Sequence, residues 1–575
     1  MNDLRIRRTS TLLLLSLLAV FPWLLPAQRD TSVTVNYAAP LRGPLLVTGT
    51  FGELRTDHFH AGLDFRAPTN TPVYAVADGF VSRVVVSSGG YGQAVYVDHA
   101  DGHRSVYAHL ETLNEALRDT VRARQFADER FPVNLRFSAT DFPVRAGDRL
   151  GGVGNRGHSF GPHLHFEMRE IAGDVPVNPL AFGFDVPDTR QPQIRKLRVY
   201  ELDGHGLETA TQTFSPELIS AGAYRVRDTI VVRRPSVGVA LKAYDRQNGM
   251  PNWNGIYGGD LVVDSSRVFS FRWDRLPFEY TEYLNALTDY AAWTGSESWF
   301  HRFWALTQDA MFWDKKAGEG RLRLSANEPR PATINVVDFA GNTSTLAFVV
   351  VYRPDGISPA LLPHQYFLPA GEASIIDNGA MRLELDSLAL YRAGFFRYAR
   401  QTDGSDGYFS DVHHLHDRLT PLHGRATLSL RPTRPVPATL RGKVFLGTCS
   451  SSGRWTSYGG DWSADGRMTA RIPSFGDYAL FLDTLPPAVE VHRFPTDLRR
   501  SDGFSVEITD NVGGGGLAYR GTINGAWALL EYDAKYDRLN YSFANGDPGP
   551  GQHRFELTVR DARGNETVWR RNFRR

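Results

Sequence analysis

The sequence predicts a mainly β protein assembled from several modules, and three observations carry that prediction. The chain has 575 residues, more than one hydrophobic core accommodates, which corresponds to roughly three to five domains. Its 54 glycines and 12% aromatic residues accompany many short runs rich in Val, Thr, Phe and Tyr, the pattern of strands divided by tight turns. Paired motifs recur late in the chain, as a repeated β-sandwich requires. An apolar share of 42% and a charged share of 22% suit folded domains rather than disorder. Sixty-four basic and 63 acidic residues leave a formal charge of +1, so the strong basic footprint of a nucleic-acid binder is absent from the sequence.

At the N-terminus, Arg5, Arg7 and Arg8 precede an apolar run over residues 12–25 and then Pro26-Ala27-Gln28. The run is short for a membrane span, and the small Ala27 suits cleavage before Gln28. Residues 1–27 are therefore expected to be a signal peptide, with an uncleaved anchor as the alternative. Either way, the remainder is expected outside the cytoplasm, periplasmic or associated with the cell envelope. The only cysteine, Cys449, cannot form an intramolecular disulfide and is expected to be a small buried hydrophobe.

Residues 28–186 are expected to form the first domain, dense in Gly, His and alternating strands. Runs at 73–77 and 80–86 flank Asp78-Gly79, and runs at 94–98 and 104–108 flank Asp101-Gly102. Both pairs read as antiparallel hairpins. Leu110, Leu113 and Leu117 have helical spacing, which predicts a helical insertion at about 111–136. Beyond it, Asp188-Thr189-Arg190-Gln191-Pro192 is echoed by Asp483-Thr484-Leu485-Pro486-Pro487. Similarly, Asp338-Phe339-Ala340-Gly341-Asn342 is echoed by Asp561-Ala562-Arg563-Gly564-Asn565. These echoes predict two related immunoglobulin-like β-sandwich modules, at 187–353 and 484–575. The first carries an aromatic, charge-rich insertion around 293–316. Residues 354–483 read as a β-rich module for which the sequence alone suggests no type.

The chemistry concentrates in the first domain. In His163-Leu164-His165, alternation along a strand sends both imidazoles to one side, about 6–7 Å apart. One can bind a metal while the other stands beside the reacting water. His60 and Asp64 offer a nitrogen and an oxygen if the chain bends at Gly62. With one imidazole of the later pair they make two nitrogens and one carboxylate. Three protein ligands and an open fourth position describe catalytic zinc, whereas a closed structural site favours four ligands, usually with Cys. No His-Glu-x-x-His helix occurs.

The stretch 51–168 resembles the lysostaphin-like (LytM-type) zinc peptidases, which cut peptidoglycan cross-links or cross-bridges. The motifs that carry the resemblance are His60-Ala61-Gly62-Leu63-Asp64, Ala75-Val76-Ala77-Asp78-Gly79, Tyr107-Ala108-His109-Leu110 and Ser159-Phe160-Gly161-Pro162-His163-Leu164-His165-Phe166-Glu167. The resemblance implies a small antiparallel β-sheet with Zn2+ in a groove, held by His60, Asp64 and His165. It makes His109 and His163 the catalytic pair and peptidoglycan peptides the substrate. His163 is the candidate base, and His109 would hold the oxyanion or move the proton. Tyr107 and Ser159 are candidate neighbours of the ligating imidazoles. The C-terminal β modules suggest an envelope partner. A non-catalytic wall-binding regulator, or an adhesion or scaffold protein that keeps the fold, is the alternative.

Overall fold

The computed structural model describes residues 35–306, 318–356, 364–402 and 407–575. The expected signal peptide lies outside the described residues, as does part of the aromatic insertion, 307–317. The described strands far outnumber the helices, in keeping with the mainly β expectation. Among the described residues, no helix is long and apolar enough to cross a membrane.

The first domain contains β1 Val47–Gly49, β2 Leu63–Arg66, β3 Pro72–Tyr74, β4 Gly79–Val86, β5 Gln93–Asp98, β6 His103–Ala108, β7 Thr112–Leu113, α1 Glu115–Asp128, β8 Val133–Arg136, β9 Pro143–Val144, β10 Arg149–Gly152, β11 His163–Glu170 and β12 Val175–Val177. One sheet runs β1-β2-β11-β6-β5-β4-β8, with β12 added to β11 and β9 to β4; β3, β10 and β7 form a second, small sheet. Strand β11 explains the architecture. Leu164, Phe166 and Met168 on one face are fully buried against Phe65 and Tyr107, while His163, His165, Glu167 and Arg169 share the other face. Thus one strand seals the core and carries a polar row.

Two local expectations need correction. Asp101-Gly102 does close a hairpin, β5–β6. The turn at Asp78-Gly79 does not, because β3 pairs with β10 and β4 with β5. Ala75, Val76 and Ala77 between them are at most 1% exposed, so the chain passes through the core from one sheet to the other. The helix is also shorter than expected. Leu113 lies in β7, and α1 starts after Asn114, whose side chain accepts a hydrogen bond from the Leu117 amide. Leu117, Val121 and Gln125 then form its buried stripe.

Residues 193–352 form two facing sheets, one including Gln193–Leu202 and Ser236–Tyr244, the other including Gly258–Val263, Pro329–Val337 and Thr343–Tyr352. Their core is continuous with that of the first domain, and Phe59 packs on Trp273 at 5.1 Å. Residues 365–482 and 488–574 have separate cores. The last of these again consists of two four-stranded sheets. Cys449 is half-exposed rather than buried, because it ends the strand Val444–Cys449 where the chain turns out to solvent.

The echoed motifs occupy equivalent places. Asp338 directly follows the strand Pro329–Val337, and Asp561 directly follows Gln552–Arg560. Asn342 Nδ2 donates to Asp338 at 2.7 Å and to the Asp188 carbonyl at 3.2 Å. Asn565 Nδ2 donates to Asp561 at 2.7 Å and to the Asp483 carbonyl at 3.2 Å. The two echoed turns therefore make the same hydrogen bonds to their incoming segments.

Candidate metal centre and active site

Strand register brings the first two chemical groups together. His165 on β11 lies directly opposite Asp64 on β2, and such pairs place their Cβ atoms about 5 Å apart. His60 reaches the same point from the loop before β2. Gly62 permits this by close approach rather than by an unusual φ: a Cβ there would stand 2.3 Å from the Phe166 carbonyl oxygen. Gly49 leaves room in the same way for the Asp64 carboxylate, 2.5 Å from where its own Cβ would be. One ligand atom from each of His60, Asp64 and His165 lies within 4.8 Å of the other two.

The hydrogen bonds fix which atoms face inward. His60 Nδ1 is 2.8 Å from the Thr50 carbonyl, which can only accept, so that nitrogen carries the proton and Nε2 points to the cluster. His165 is turned the other way: Nε2 donates to Glu167 Oε1 at 2.7 Å, and Nδ1 faces Asp64 Oδ1 at 3.0 Å. The facing nitrogens of His60 and His165 are 3.0 Å apart. Asp64 Oδ2 accepts from Arg55 at 3.1 Å. Each inward atom thus belongs to a side chain anchored at its outer end, as metal ligands usually are. Two imidazole nitrogens and one carboxylate oxygen, without a thiolate, fit zinc.

The two remaining imidazoles stand beside this cluster. His163 Nδ1 donates to the Gly161 carbonyl at 2.8 Å, with Ser159 Oγ at 3.3 Å, and its Nε2 lies 3.4 Å from Asp64 Oδ1. His109 Nδ1 donates to the Arg156 carbonyl at 2.8 Å. Its ring centroid is 4.9 Å from that of His163 and 5.7 Å from that of His165. His109 has φ 58°, a left-handed conformation that a non-glycine residue seldom adopts and that turns it off the end of β6. Both imidazoles keep Nδ1–H on a backbone carbonyl and leave Nε2 for chemistry.

Burial and charge set the protonation of the site. Burial opposes the charge on Asp64, yet the facing imidazoles hold its carboxyl well below the usual range. Burial pushes the His60 imidazole down. It also pushes His109 down, with the neighbouring His165 and His163 adding to the effect, to about 3. Burial likewise disfavours charge on His165, but Asp64 and Glu167 outweigh it and raise its pKa to about 9. Glu167 is fully buried, and Arg169 and His165 overcome that burial to bring it to about 2.

The structure brings all five sequence-predicted residues into one cluster, with Ser159 beside His163. Tyr107 is elsewhere: its hydroxyl accepts from the Val76 amide and Ser105, and its ring packs on the apolar side against Phe166. The exposed His158 touches Phe160, itself 91% exposed, on the loop ahead of His163. Sequence reasoning assigned no role to Glu167, Arg169, Tyr91 or Arg55. Tyr91 donates to Glu167 at 2.5 Å, and Arg169 pairs with Glu167 at 2.6 Å. Period-two alternation beyond His163 and His165 points to Glu167 and Arg169; no comparable signal exists for Tyr91 and Arg55, which loops bring in.

Two imidazoles and a carboxylate, flanked by two more imidazoles, are thus gathered on one side of the β-sheet, the arrangement that the resemblance to lysostaphin-like peptidases implies. Residues 58–126 match peptidase family M23, and the chain carries a domain of that family. Residues 365–483 match the Zu5-like domain, in the stretch to which the sequence alone gave no type. Over 138 residues the chain is 38% identical to the DD-carboxypeptidase/endopeptidase Mpg of Neisseria meningitidis, covering 24% of this chain and 26% of that protein. It is 36% identical over 134 residues to the cell division protein DipM of Caulobacter vibrioides, covering 23% of this chain and 18% of that protein. The chain therefore spans about a quarter or less of the length of these relatives. The catalytic domain of the prophage-encoded M23 protein EnpA from Enterococcus faecalis is 33% identical, with 25% of this chain and 97% of that one covered and a TM-score of 0.19.

Proposed function

We propose that this protein is an exported zinc endopeptidase that hydrolyses peptide bonds in the stem peptides or cross-links of peptidoglycan. The observation that carries the reading is the convergence of His60 Nε2, Asp64 Oδ1 and His165 Nδ1, beside two imidazoles whose Nδ1 atoms are committed to backbone carbonyls. The substrate class is supported by the likeness to the DD-carboxypeptidase/endopeptidase Mpg and to the peptidoglycan DD-endopeptidase ShyC of Vibrio cholerae, 29% identical over 120 residues.

His60 Nε2, Asp64 Oδ1 and His165 Nδ1 would hold the metal. Zinc supplies Lewis acidity toward the scissile carbonyl and acidifies the attacking water. His163 is the base for that water: its Nδ1–H is committed to Gly161, so Nε2 carries the free lone pair. Burial keeps His109 neutral at pH 7, so its Nε2 also enters the reaction as an acceptor. It can stabilise an oxyanion only after taking a proton. The pair therefore works as a relay: a proton from water reaches an imidazole, and the imidazolium returns it to the departing amine. Glu167 keeps His165 in the tautomer that turns Nδ1 inward, and Arg169 and Tyr91 keep Glu167 ionised and in place.

The test is mass spectrometry of purified wall fragments incubated with the zinc-loaded chain, with and without chelator. Cleavage of a peptide bond that stops with chelator and returns with zinc is expected. Undiminished cleavage after metal removal, or intact fragments with a full equivalent of zinc bound, overturns the proposal.

A further inference from the structure

Away from the groove, the repeated modules each gather three aspartates. Asp188, Asp245 and Asp338 each bring a carboxylate oxygen within 4.8 Å of the others, and so do Asp483, Asp510 and Asp561. The positions correspond throughout. Asp188 and Asp483 lie in the segments that lead into the first strands, Gln193–Leu202 and Ala488–Arg493. Asp245 and Asp510 directly follow Ser236–Tyr244 and Gly503–Thr509. Asp338 and Asp561 open the turns held by Asn342 and Asn565. Each cluster therefore ties together an incoming linker and two strand ends.

Proximity of acidic groups is not itself a site, but the first cluster has a further property. Asp245 is 1% exposed, and its Oδ1 has no hydrogen-bond partner among the described residues. Its other oxygen accepts a 3.3 Å bond from Gln247, and the adjacent Arg246 amide also favours its charge. Asp188 Oδ2 is likewise buried and unpaired. Asn254, whose backbone bridges to Asp245, is 1% exposed with neither amide atom bonded among the described residues. No salt bridge reaches Asp188, Asp245 or Asp338 among the described residues. An uncompensated buried carboxylate is costly, and such groups are normally paired or bound to a cation. In keeping with that, burial and the neighbouring Asp338 and Asp188 push Asp245 up to about 7.

We propose that Asp188, Asp245 and Asp338 form a calcium site that staples the segment after the peptidase domain to the first sandwich module, and that Asp483, Asp510 and Asp561 form its counterpart in the last module. All the donors are carboxylate oxygens, the preference of a hard cation; zinc would select nitrogen or sulfur. Calcium tolerates irregular geometry, whereas magnesium demands a near-ideal octahedron and retains its waters. The second site is the weaker one. There Lys443 reaches Asn565 Oδ1 at 2.5 Å and the Arg563 carbonyl at 2.9 Å, bringing a protein cation against the cluster. Asp510 Oδ1 is nevertheless buried and unpaired among the described residues. The inference is independent of the peptidase reading, since neither cluster shares a residue with the groove.

The experiment is a calcium titration of the full chain, stripped of metal and reloaded with one equivalent of zinc, by calorimetry and thermal unfolding. Magnesium serves as the control. Two calcium equivalents of unequal affinity are expected, the tighter saturating below about 1 mM, with an unfolding temperature raised by a few degrees. Asp245→Asn is expected to lose the tighter equivalent while zinc content stays unchanged. Should that variant fail to fold, Asp188→Asn, at a half-buried position, reads the same site. Absence of calcium uptake by the unaltered chain at about 1 mM, or retention of both equivalents by a folded variant of either kind, overturns the proposal.

Discussion

The groove of the peptidase domain and the aspartate triad of the adjoining sandwich are both clusters of three acidic or basic side chains, yet they meet the cost of burial in opposite ways. In the groove every ligand is held twice. Its outer atom binds a carbonyl, a carboxylate or a guanidinium, and its inner atom faces partners of complementary charge. The triad contains only like charges, and buried oxygens of Asp245 and Asp188 have no partner among the described residues. Internal pairing preorganises a site for chemistry. Its lack makes a site depend on its cation for stability. Loss of metal should therefore abolish activity at the first cluster and cost stability at the second.

The largest effect expected from this contrast is a separation of the two losses. His163→Ala should lower kcat by about 10^2 to 10^4-fold, the usual contribution of a positioned proton-transfer group. Its KM, zinc content and calcium-dependent unfolding temperature should stay close to those of the unaltered chain. Steady-state cleavage of a defined muropeptide and metal analysis provide the readouts; full hydrolysis by this variant removes the base assignment.

Glu167→Gln sharpens the same comparison. Glu167 is not one of the three candidate ligands, but it accepts the Nε2 proton of His165 at 2.7 Å and meets Arg169 at 2.6 Å. Replacement should weaken zinc binding by about 10 to 100-fold, as loss of such supporting partners does. Competition with a chelator of known affinity measures this. Unchanged affinity would mean that β11 alone fixes the His165 ring.

The next effect concerns pH. Asp245 is pushed up to about 7 by burial, with Asp338 and Asp188 adding repulsion while the Arg246 amide and Gln247 stabilise its charge. An ordinary carboxyl titrates near 4, so the folded chain holds this proton more tightly than the unfolded one. Stability from this group is thus fully present below about pH 4 and lost as pH rises through about 7. Calcium should cancel that loss. Its effect on the unfolding temperature should grow between those two pH values, and a pH-independent effect would dissociate it from Asp245.

How much of this is legible in the sequence depends on how each contact is built. Period-two alternation makes His163 and His165 neighbours on one face, and the same rule extends to Glu167 and Arg169. The pairing of Asp64 with His165 needs strand register, which only a resemblance to a known family supplies in advance. Tyr91 and Arg55 arrive on loops, where no periodicity operates. The false hairpin at Asp78-Gly79 has a related cause. The turn is real, but three buried residues carry the chain between sheets, and local turn chemistry does not reveal which sheet follows. The repeat motifs, by contrast, were visible as echoes because Asp338 with Asn342, and Asp561 with Asn565, are local in sequence. The third member of each triad, Asp245 or Asp510, is a lone aspartate after a strand and becomes conspicuous only in three dimensions.

The smallest effect tests whether the distant module reaches the chemistry. The last module docks on the peptidase domain where Arg156 pairs with Glu531 at 2.8 Å and with Glu111 at 3.1 Å, and where Lys535 donates to the Asn155 carbonyl. The carbonyl of that same Arg156 receives Nδ1–H of His109. Gly92 and Gly157 allow the loops to meet, since a Cβ on either would lie within 2.4 Å of the other strand of chain. Glu531 is therefore in a position to steady His109 through Arg156 without approaching substrate. The pair is partly exposed, at 30% and 28% of the two side chains, so its worth is limited to about 1 kcal/mol at most. Glu531→Gln should accordingly lower kcat by no more than about fivefold, leave KM and zinc content unchanged, and shift the pH profile of kcat if the imidazole is reoriented. An altered KM with constant kcat would instead place Glu531 on the path of the substrate.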